Sequence, residues 1–382
     1  MTTDSLPCSV CAAPIRLLPQ GWQDGDPLYC EAHQVLQGRD PRLVVPDAIK
    51  AAEDDLLGME PLIEWCLPCL TEMLGYLLRG TVTYGCAFPK NGKTAFLSNN
   101  LAFWDAHGVR VWVMPTESRP KGLITRLAAF RAGVSAEEAM SKRLRVRADH
   151  GDEDAKAQMV ALMREFQAMQ QSVETDGCNI AIEPAPRLTR AIFKQSCHAA
   201  AAGGYDLVVV DHVDHIGGDA SKGESGYSAS EAVQYDALEF AETYDVAVLL
   251  MSQLNTSRVA NDPLFRYKRP ITDWVWMKGV KDQIAATMFG IYRPMQADLD
   301  DKLLHAVRTG EAESWKVAQP NTMGIASMLS RFNGSRPDRT LALGYQDGVV
   351  RDRDHADALA DYASSHGIWT GGPSERPRRR VA

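Results

Sequence analysis

A short loop that ends in glycine, lysine and threonine is the most chemically distinctive stretch of the sequence, Ala87–Thr94. It matches the Walker A pattern of phosphate-binding loops, except that Ala87 takes the place of the usual first glycine. Gly92 would let the backbone curl so that its N–H groups point at a phosphate, at the positive end of the following helix. Lys93 would neutralise charge on the β- and γ-phosphates, and the Thr94 hydroxyl would bind Mg2+. The loop residues predicted to contact ATP and Mg2+ are Pro89, Lys90, Asn91, Gly92, Lys93 and Thr94.

Two acidic residues follow apolar runs that are typical of strands. Asp211 comes directly after Leu207–Val210, which is the Walker B arrangement. Because strand ends in an open parallel sheet face the ligand crevice, we expect Asp211 near Thr94, in the Mg2+ shell. Glu117 comes shortly after Val109–Met114. A carboxylate at that position could orient the attacking water, so Glu117 is the predicted general base of ATP hydrolysis.

A polar amide, Gln253, lies at the tip of a third apolar run, Val246–Met251. Such a group can sense the γ-phosphate and pass the nucleotide state to the next loop, so we count Gln253 among the catalytic candidates. That loop, Thr256–Thr272, carries a cluster of positive charge at Arg258, Arg266, Lys268 and Arg269. Clusters of this kind suit the phosphates of a nucleic acid, but they are more often solvated surface. Two histidines after the Asp211 strand, His212 and His215, are expected to line the same crevice or a channel rather than to hold a metal ion.

Cysteine and histidine at metal-ligand spacing mark the N-terminus. Cys8 and Cys11 form a CxxC pair, and Cys30 and His33 form a CxxH pair. Four thiolate or imidazole ligands suit a tetrahedral, structural Zn2+ ion. Because a segment this short cannot bury a sufficient core, the metal would supply its folding energy. Free thiols are the alternative.

The other cysteines are expected to play no chemical role. Cys66 and Cys69 form a second CxxC that superficially resembles a redox motif, but no strand precedes it. Ordinary packing is therefore predicted for this pair, with an additional metal site as the alternative. Three further cysteines are predicted to be small buried hydrophobic residues, namely Cys86, Cys178 and Cys197.

Strands that alternate with helices would hold these residues. From about residue 60, segments of helical periodicity alternate with short β-branched runs, a pattern typical of a parallel sheet with crossover helices. The runs predicted to be strands are Thr81–Tyr84, Val109–Met114, Asn179–Ile182, Leu207–Val210 and Val246–Met251. One helix, Glu153–Ser172, has an apolar stripe that predicts core packing, formed by Met159, Leu162, Met163, Phe166 and Met169.

Composition divides the chain into four parts. Residues 1–35 are the zinc-binding candidate, and residues 36–60 are a connector with helical character. Residues 61–352 hold the phosphate-binding loop and the predicted strands. Residues 353–382 are expected to form a short helix and then a flexible tail rich in Gly, Pro and Arg.

The order of these motifs resembles the helicase domain of DnaB-type replicative helicases, and it is similar to the helicase half of phage primase-helicases. The similarity covers roughly residues 60–352, and its most diagnostic parts are Ser252–Asn255 and Arg331–Gly334. The second stretch resembles the hairpin that carries an arginine finger, although Leu329 occupies the place of the lysine that usually accompanies that arginine. Other stretches that agree with the family are Pro184–Thr189, Ile271–Asp273, Gly279–Gln283 and Phe289–Arg293.

The resemblance implies an α/β fold, a RecA-like P-loop NTPase core with a mostly parallel sheet, to which a small N-terminal zinc ribbon would be added. It also implies a hexameric ring with ATP at subunit interfaces, where Arg331 would reach the γ-phosphate of the neighbouring subunit. The expected activity is ATP-driven translocation on single-stranded DNA in replication, of phage-like character, with a primase or another replication protein as a further partner. Two other classes share parts of the pattern: a strand-exchange recombinase or recombination mediator, and a helicase loader or regulatory ATPase.

Composition fits a protein of the cytoplasm, or of the host cytoplasm if a phage encodes it. The chain is 45% hydrophobic and 24% charged over 382 residues, which is typical of a globular protein. Its apolar runs are too short to span a bilayer, and Met1–Pro7 lacks the features of a signal peptide. The formal net charge of −8 argues mildly against a chain coated in nucleic acid, but a binding channel needs only local positive charge.

Overall fold

The computed structural model describes residues 6–7, 14–15, 62–116, 120–174, 179–183, 188–216, 226–257, 261–275, 278–295, 301–313, 322–332, 336–343 and 349–352. The chain divides into two compact units, Met1–Pro61 and Leu62–Ala382. In the first unit, strands β1 (Leu6–Pro7) and β2 (Pro14–Ile15) pair antiparallel. The predictions that fall outside the described residues are the zinc ligands Cys8, Cys11, Cys30 and His33, the connector 36–60, the base Glu117 and the tail 353–382.

A nine-stranded sheet forms the centre of the second unit. In chain order its strands are β3 (Val82–Ala87), β4 (Val111–Pro115), β5 (Ile180–Ile182), β6 (Leu207–Asp211), β7 (Ala247–Gln253), β8 (Ala285–Tyr292), β9 (Thr322–Ser330), β10 (Arg339–Leu343) and β11 (Val350–Asp352). Across the sheet the order is β11-β10-β9-β8-β3-β7-β6-β4-β5. The strands from β8 to β5 in this order run parallel, and β9, β10 and β11 pair antiparallel. The predicted, mostly parallel α/β sheet is confirmed.

Helices connect the parallel strands and cover both faces of the sheet. In the second unit they are α1 (Pro68–Leu74), α2 (Lys93–Ala106), α3 (Pro120–Arg131), α4 (Ala136–Ser141), α5 (Arg143–Asp149), α6 (Glu153–Glu174), α7 (Arg190–Ala202), α8 (Gly226–Tyr244), α9 (Lys278–Ile284) and α10 (Asp301–Thr309). No helix in the described part of the chain is both long and apolar enough to cross a membrane.

Two separate hydrophobic cores lie on the two faces of the sheet, and strand β6 shows why. Its residues Leu207 and Val209 belong to the core that α1 and α2 cover, whereas Val208 and Val210 belong to the core under α7 and α8. Successive side chains of a strand point to opposite faces, so a strand buried on both sides must be apolar throughout. Every residue of β6 is buried, including the polar residue at its end, Asp211.

Helices α3 to α6 form a small lobe between strands β4 and β5, with its own cluster of buried residues. The predicted stripe on α6 holds for Leu162, which is buried in this cluster, and for the partly buried Met159, Phe166 and Met169. The prediction is wrong for Met163, which is 53% exposed. Each helical residue turns about 100° from the last, which carries Met163 away from the face that Leu162 buries.

Candidate nucleotide-binding site

The phosphate-binding loop joins the central strand β3 to helix α2. Strand β3 runs to Ala87, three residues further than its predicted end at Tyr84, because Ala87 still pairs with Gln253 of β7 and with Ile291 of β8. Helix α2 begins at Lys93 and is anchored by buried apolar residues, among them Phe96, Leu97 and Leu101. The loop is thus held between a buried strand and a buried helix, so its backbone N–H groups are preorganised for an anion.

Glycine is required at position 92 by the backbone of the loop. Gly92 has φ 93°, a left-handed conformation that L side chains rarely adopt, and its carbonyl accepts the first helical hydrogen bond, from the Phe96 N–H at 2.9 Å. A Cβ atom at this position would also lie 2.6 Å from the terminal methyl carbon, Cε, of Met323. Lys90 is left-handed too, with φ 67°. These two residues give the loop the curl that the Walker A pattern predicts.

Lys93 and Asp211 come together although they are distant in sequence. Lys93 Nζ lies 3.5 Å from Asp211 Oδ1, with the two side chains 11% and 4% exposed. The carboxylate is placed by β6, whose last residue it is, and the ammonium group by the first turn of α2. Thr94 follows Lys93 on the same turn. The donor set of an ammonium, a hydroxyl and a buried carboxylate fits a nucleotide phosphate with its Mg2+ ion.

Gln253 ends β7 next to the start of the phosphate-binding loop. It is the register partner of Ala87, and the Leu254 N–H donates to the Ala87 carbonyl at 3.0 Å. The backbone N–H of Gln253 donates to Asp214 Oδ2 at 2.6 Å. The structure therefore brings the predicted γ-phosphate sensor to the loop that would hold the phosphates, with an acidic residue fixing its backbone.

A buried ion pair supports this arrangement, and the sequence analysis missed it. Lys281 Nζ on α9 donates to Asp214 Oδ1 at 2.8 Å and to Ser252 Oγ at 2.5 Å, and the Lys281 side chain is 0% exposed. Burial alone would raise the pKa of Asp214, but the charge and hydrogen bond of Lys281 outweigh it and lower that pKa below its usual value. No local pattern could have paired these residues, since they lie 67 positions apart.

His212 is enclosed beneath the site. Its side chain is fully buried, and its ring centroid lies 3.8 Å from that of His215. Burial, with the positive charge of Lys93 next in importance, lowers the pKa of His212 to about 3. His212 is therefore neutral at physiological pH. It lies inside the protein rather than on the crevice surface that the sequence analysis assigned to it. Among the described residues, no group of three His, Cys, Asp or Glu side chains is placed to hold a metal ion.

The predicted base Glu117 lies outside the described residues, but the chain just before it is placed. Strand β4 ends beside Asp211, because Pro115 is its register partner. The Thr116 N–H donates to the Asp211 carbonyl at 2.6 Å, and the Thr116 hydroxyl bonds the backbone of His212 at 2.8 Å. The strand that leads to Glu117 thus leaves the sheet at the nucleotide site.

The basic loop after β7 packs directly on the phosphate-binding loop in its described part, residues 261–275. The Asn91 side chain belongs to a residue that is 2% exposed, and it donates to the Arg266 carbonyl at 2.8 Å. Phe88 packs against Phe265 and Trp274, with ring centroids 5.9 and 6.2 Å apart. These contacts tie the loop that would bind phosphate to the loop predicted to bind nucleic acid.

The basic side chains of this loop differ in their surroundings. Arg269 is paired with Asp338 through two hydrogen bonds, of 2.6 and 2.9 Å, whereas Lys268 is exposed and lies 5.1 Å from the centre of the Phe265 ring. Arg258 lies outside the described residues. Lys268 is therefore better placed than Arg269 to meet a phosphate backbone.

Arg331 is not brought to the nucleotide site of its own chain. It follows β9, which is antiparallel to β8, and its N–H donates to the Ala286 carbonyl at the start of β8 at 3.0 Å. Because β8 is parallel to β3, this position is at the sheet edge opposite to Lys93. The exposed guanidinium donates to the backbone carbonyls of Asp282 and Gln283 at 3.0 and 2.6 Å. Leu329, in the place of the family's usual lysine, packs against the second core.

The second CxxC is part of the protein interior. Cys69 belongs to the core under α1 and α2, Cys66 packs against that core, and both are free thiols. Burial raises the pKa of each thiol to about 12, helped at Cys69 by a hydrogen bond to Asp352. Packing thus accounts for this pair. Cys86 and Cys197 are buried as predicted, and Cys178 lies outside the described residues.

Comparison with known proteins places the chain in one group. Residues 67–318 match the family model described as the DnaB-like helicase C terminal domain. A DnaB-like replicative helicase, solved to study its interactions with primase, superposes with a TM-score of 0.58 at 17% identity, over 80% of this chain and 65% of that one. The ATPase domain of a phage helicase superposes with a TM-score of 0.58 at 18% identity, over 81% of this chain and 98% of that one. The chain thus spans about two thirds of the first of these structures, and no curated protein sequence matches it.

Proposed function

The chain belongs to the family of the DnaB-like helicase C-terminal domain, and from this premise we propose that it is an ATP-dependent DNA helicase or translocase of the DnaB type that acts in DNA replication. The observation that carries the proposal is the meeting of Lys93 and Asp211 at 3.5 Å, on the sheet edge where Gln253 ends β7. A P-loop lysine, a strand-end carboxylate and a strand-tip amide are the groups that a nucleotide-driven motor needs at one site.

Each site residue has a proposed role in ATP hydrolysis. Lys93 would neutralise charge on the transferred phosphate, and Thr94 and Asp211 would hold Mg2+, which supplies further charge neutralisation when bound. Glu117 would orient and deprotonate the attacking water. Gln253 would report the presence of the γ-phosphate to the loop that follows it. The remaining loop residues proposed to surround the phosphates are Pro89, Lys90, Asn91 and Gly92.

A ring of subunits would complete the site. Arg331 lies at the sheet edge opposite to its own Lys93, so it can serve a nucleotide only if that nucleotide belongs to a neighbouring copy. We therefore propose a homo-oligomer, of hexameric type, in which Arg331 acts as a finger in trans. The Thr256–Thr272 loop would hold single-stranded DNA mainly through its phosphates, inside the cytoplasm, and a primase or another replication protein would be a partner.

The parts of the chain outside the ATPase core keep their proposed roles. Residues 1–35 would be a structural zinc module held by Cys8, Cys11, Cys30 and His33, and residues 36–60 would connect it to the ATPase domain, 61–352. The support for zinc is the spacing of the four ligands. Residues 353–382 would be a helix followed by a flexible tail.

ATP hydrolysis measured with and without single-stranded DNA tests the function. We expect DNA to stimulate phosphate release, the protein to unwind a forked duplex, and negative-stain images to show rings. Lys93→Ala should abolish all turnover while far-ultraviolet circular dichroism stays unchanged, because it removes phosphate neutralisation and no core contact. DNA-dependent filaments without unwinding would point instead to a recombinase, and slow hydrolysis indifferent to DNA would point to a loader.

A further inference from the structure

Helix α9 joins the two edges of the sheet that carry the two halves of the proposed machinery. Just before the helix, Val275 bridges to Leu254 beside the phosphate-binding loop. Just after it, Ala285 begins β8 opposite Val82, at the far edge. Seven helical residues span about 10 Å, which is enough to cross most of the height of a five-residue strand.

The upper part of α9 is fixed to the nucleotide site by Lys281. The ammonium group bonds Asp214, in the turn after β6, and Ser252, near the end of β7, and it lies 5.8 Å from the centre of the Tyr84 ring of β3. Asp214 in turn accepts from the Gln253 N–H and from Ser252 Oγ, at 2.6 and 2.8 Å. A buried charge is tolerated only with such complete pairing, so the position of Lys281 and that of the Gln253 backbone are tied to each other.

The lower end of α9 holds Arg331. The last carbonyl groups of a helix have no partner within it and form its negative end, and those of Asp282 and Gln283 accept from the Arg331 guanidinium. Lys281 immediately precedes these two residues. A shift of α9 at Lys281 therefore moves the acceptors that orient Arg331.

We propose that Lys281 and Asp214 are a positioning pair that links the nucleotide site of each subunit, at Gln253, to the Arg331 that the same subunit presents to its neighbour. The link rests on the proposed function, because it has a purpose only if Arg331 acts in trans. It requires no change of protonation: the rigid connection is Gln253, Asp214, Lys281, the end of α9 and Arg331. Each subunit would in this way pass the state of its own nucleotide to the next site.

The double variant Lys281→Met/Asp214→Asn tests this pair without leaving a lone buried charge. An asparagine at position 214 can still accept from the Gln253 N–H, so the fold is expected to survive, with a melting temperature close to that of the wild type. We expect the KM for ATP to change little and kcat to fall about 10- to 100-fold, the size of effect that misplaced catalytic groups produce. A kcat within twofold of the wild type would overturn the proposal.

A matched control lies at the far edge of the sheet. The Arg79–Asp206 ion pair also joins two elements of the sheet, and Asp206 likewise accepts a backbone N–H, that of Arg110 at 2.8 Å. The variant Arg79→Met/Asp206→Asn should therefore leave kcat unchanged. An equal loss in both variants would mean that the Lys281 pair acts only through general stability.

Combination with Arg331→Ala tests whether the effect passes through the finger. If it does, the triple variant should be no slower than Arg331→Ala alone, with residual turnover followed by radiolabelled ATP. A further loss of tenfold or more would reject the link to Arg331. If the double variant does not fold, Ser252→Ala, which removes only the hydroxyl between Lys281 and β7, is measured in the same way.

Hydrogen exchange separates this inference from the proposed function. Peptides covering α9 and residues 252–255 should exchange faster in the double variant than in the wild type, and the Arg79→Met/Asp206→Asn control should match the wild type. If the wild type hydrolyses no ATP, the proposed function fails while this structural link is still measured. Unchanged exchange in the double variant would overturn the link itself.

Discussion

At the scale of residues, the site depends on side chains that burial and charge hold in one state. Lys93 and Asp211 face each other at the end of the sheet with little exposure to solvent, and His212 beneath them is kept neutral. The residues proposed to act on the nucleotide can therefore be tested one at a time, because none of them carries the core.

Glu117→Gln should separate ATP binding from hydrolysis. A glutamine has nearly the same shape but cannot take a proton from water, so binding of a fluorescent ATP analogue should persist while phosphate release falls about 100-fold or more. Glu183→Gln is the matched control, since Glu183 follows the neighbouring strand β5 and accepts a hydrogen bond from Ser196 instead. Persistent hydrolysis in Glu117→Gln would mean that another residue positions the water.

The thiols of Cys66 and Cys69 should be nearly inert at pH 8. Their pKa values of about 12 leave much less thiolate than the usual value of 9.0, so alkylation should be on the order of a hundred-fold slower than in the unfolded chain. Because the folded state binds these protons more tightly, the free energy of unfolding should be constant below pH 8 and fall between about pH 9 and 12. Mass spectrometry after timed iodoacetamide treatment measures the rate, and rapid labelling of either residue would contradict the burial.

At the scale of elements, local patterns predicted the residues that one strand or loop places, and missed those that packing places. Asp211 could be assigned because a single apolar strand carries it to the ligand edge. Lys281 and Asp214 could not, because their pairing depends on how α9 crosses the sheet. Met163 failed for another reason: a stripe of apolar residues on a helix is wider than the face that the lobe buries.

The lobe of helices α3 to α6 offers a direct test of that face. Leu162→Ala should lower the free energy of unfolding by about 2 to 4 kcal/mol, because it opens a cavity in the buried cluster. Met163→Ala, one residue further along, should cost less than about 1 kcal/mol, since this residue is 53% exposed. Urea titration of both variants makes the comparison, and equal losses would show that the helix is rotated from its described orientation.

At the scale of the whole molecule, the sheet keeps Lys93 and Arg331 on opposite edges, and an assembly must bring them together. The sequence pointed to this only through the resemblance of Arg331–Gly334 to a finger hairpin. The geometry adds a physical reason, because an antiparallel β9 returns the chain to the edge where β8 begins. The distribution of zinc and of active sites in the assembly can be tested separately.

Mixing two inactive variants tests the action of Arg331 in trans. Arg331→Ala subunits should bind ATP but hydrolyse it poorly, and Lys93→Ala subunits should not hydrolyse it at all. Mixed rings contain some interfaces where an intact Lys93 meets an intact Arg331, so ATPase activity should return in part once subunits exchange. Fluorescence transfer between labelled subunits verifies the exchange, and full activity of Arg331→Ala alone would reject the finger.

The zinc module predicts about one tightly held Zn2+ per chain in protein purified under reducing conditions. Elemental analysis should show its loss in Cys8→Ser or Cys30→Ser protein. The control Cys66→Ser/Cys69→Ser should keep the metal, because those thiols pack in the core. Protein with no zinc would reject the module, whereas about two ions per chain would give the second CxxC a metal as well.

The two outermost strands of the sheet are both very short. In the described part of the chain, β5 and β11 each have three residues. An edge strand displays unpaired N–H and C=O groups to which a strand of another molecule can add, and short edges give such additions little to hold. Neighbouring copies would therefore meet through side chains and loops rather than through a continuous intermolecular sheet. An assembly joined in that way can loosen and re-form its contacts in each cycle without breaking any β-ladder, and concentrated protein is protected from fibrous aggregation.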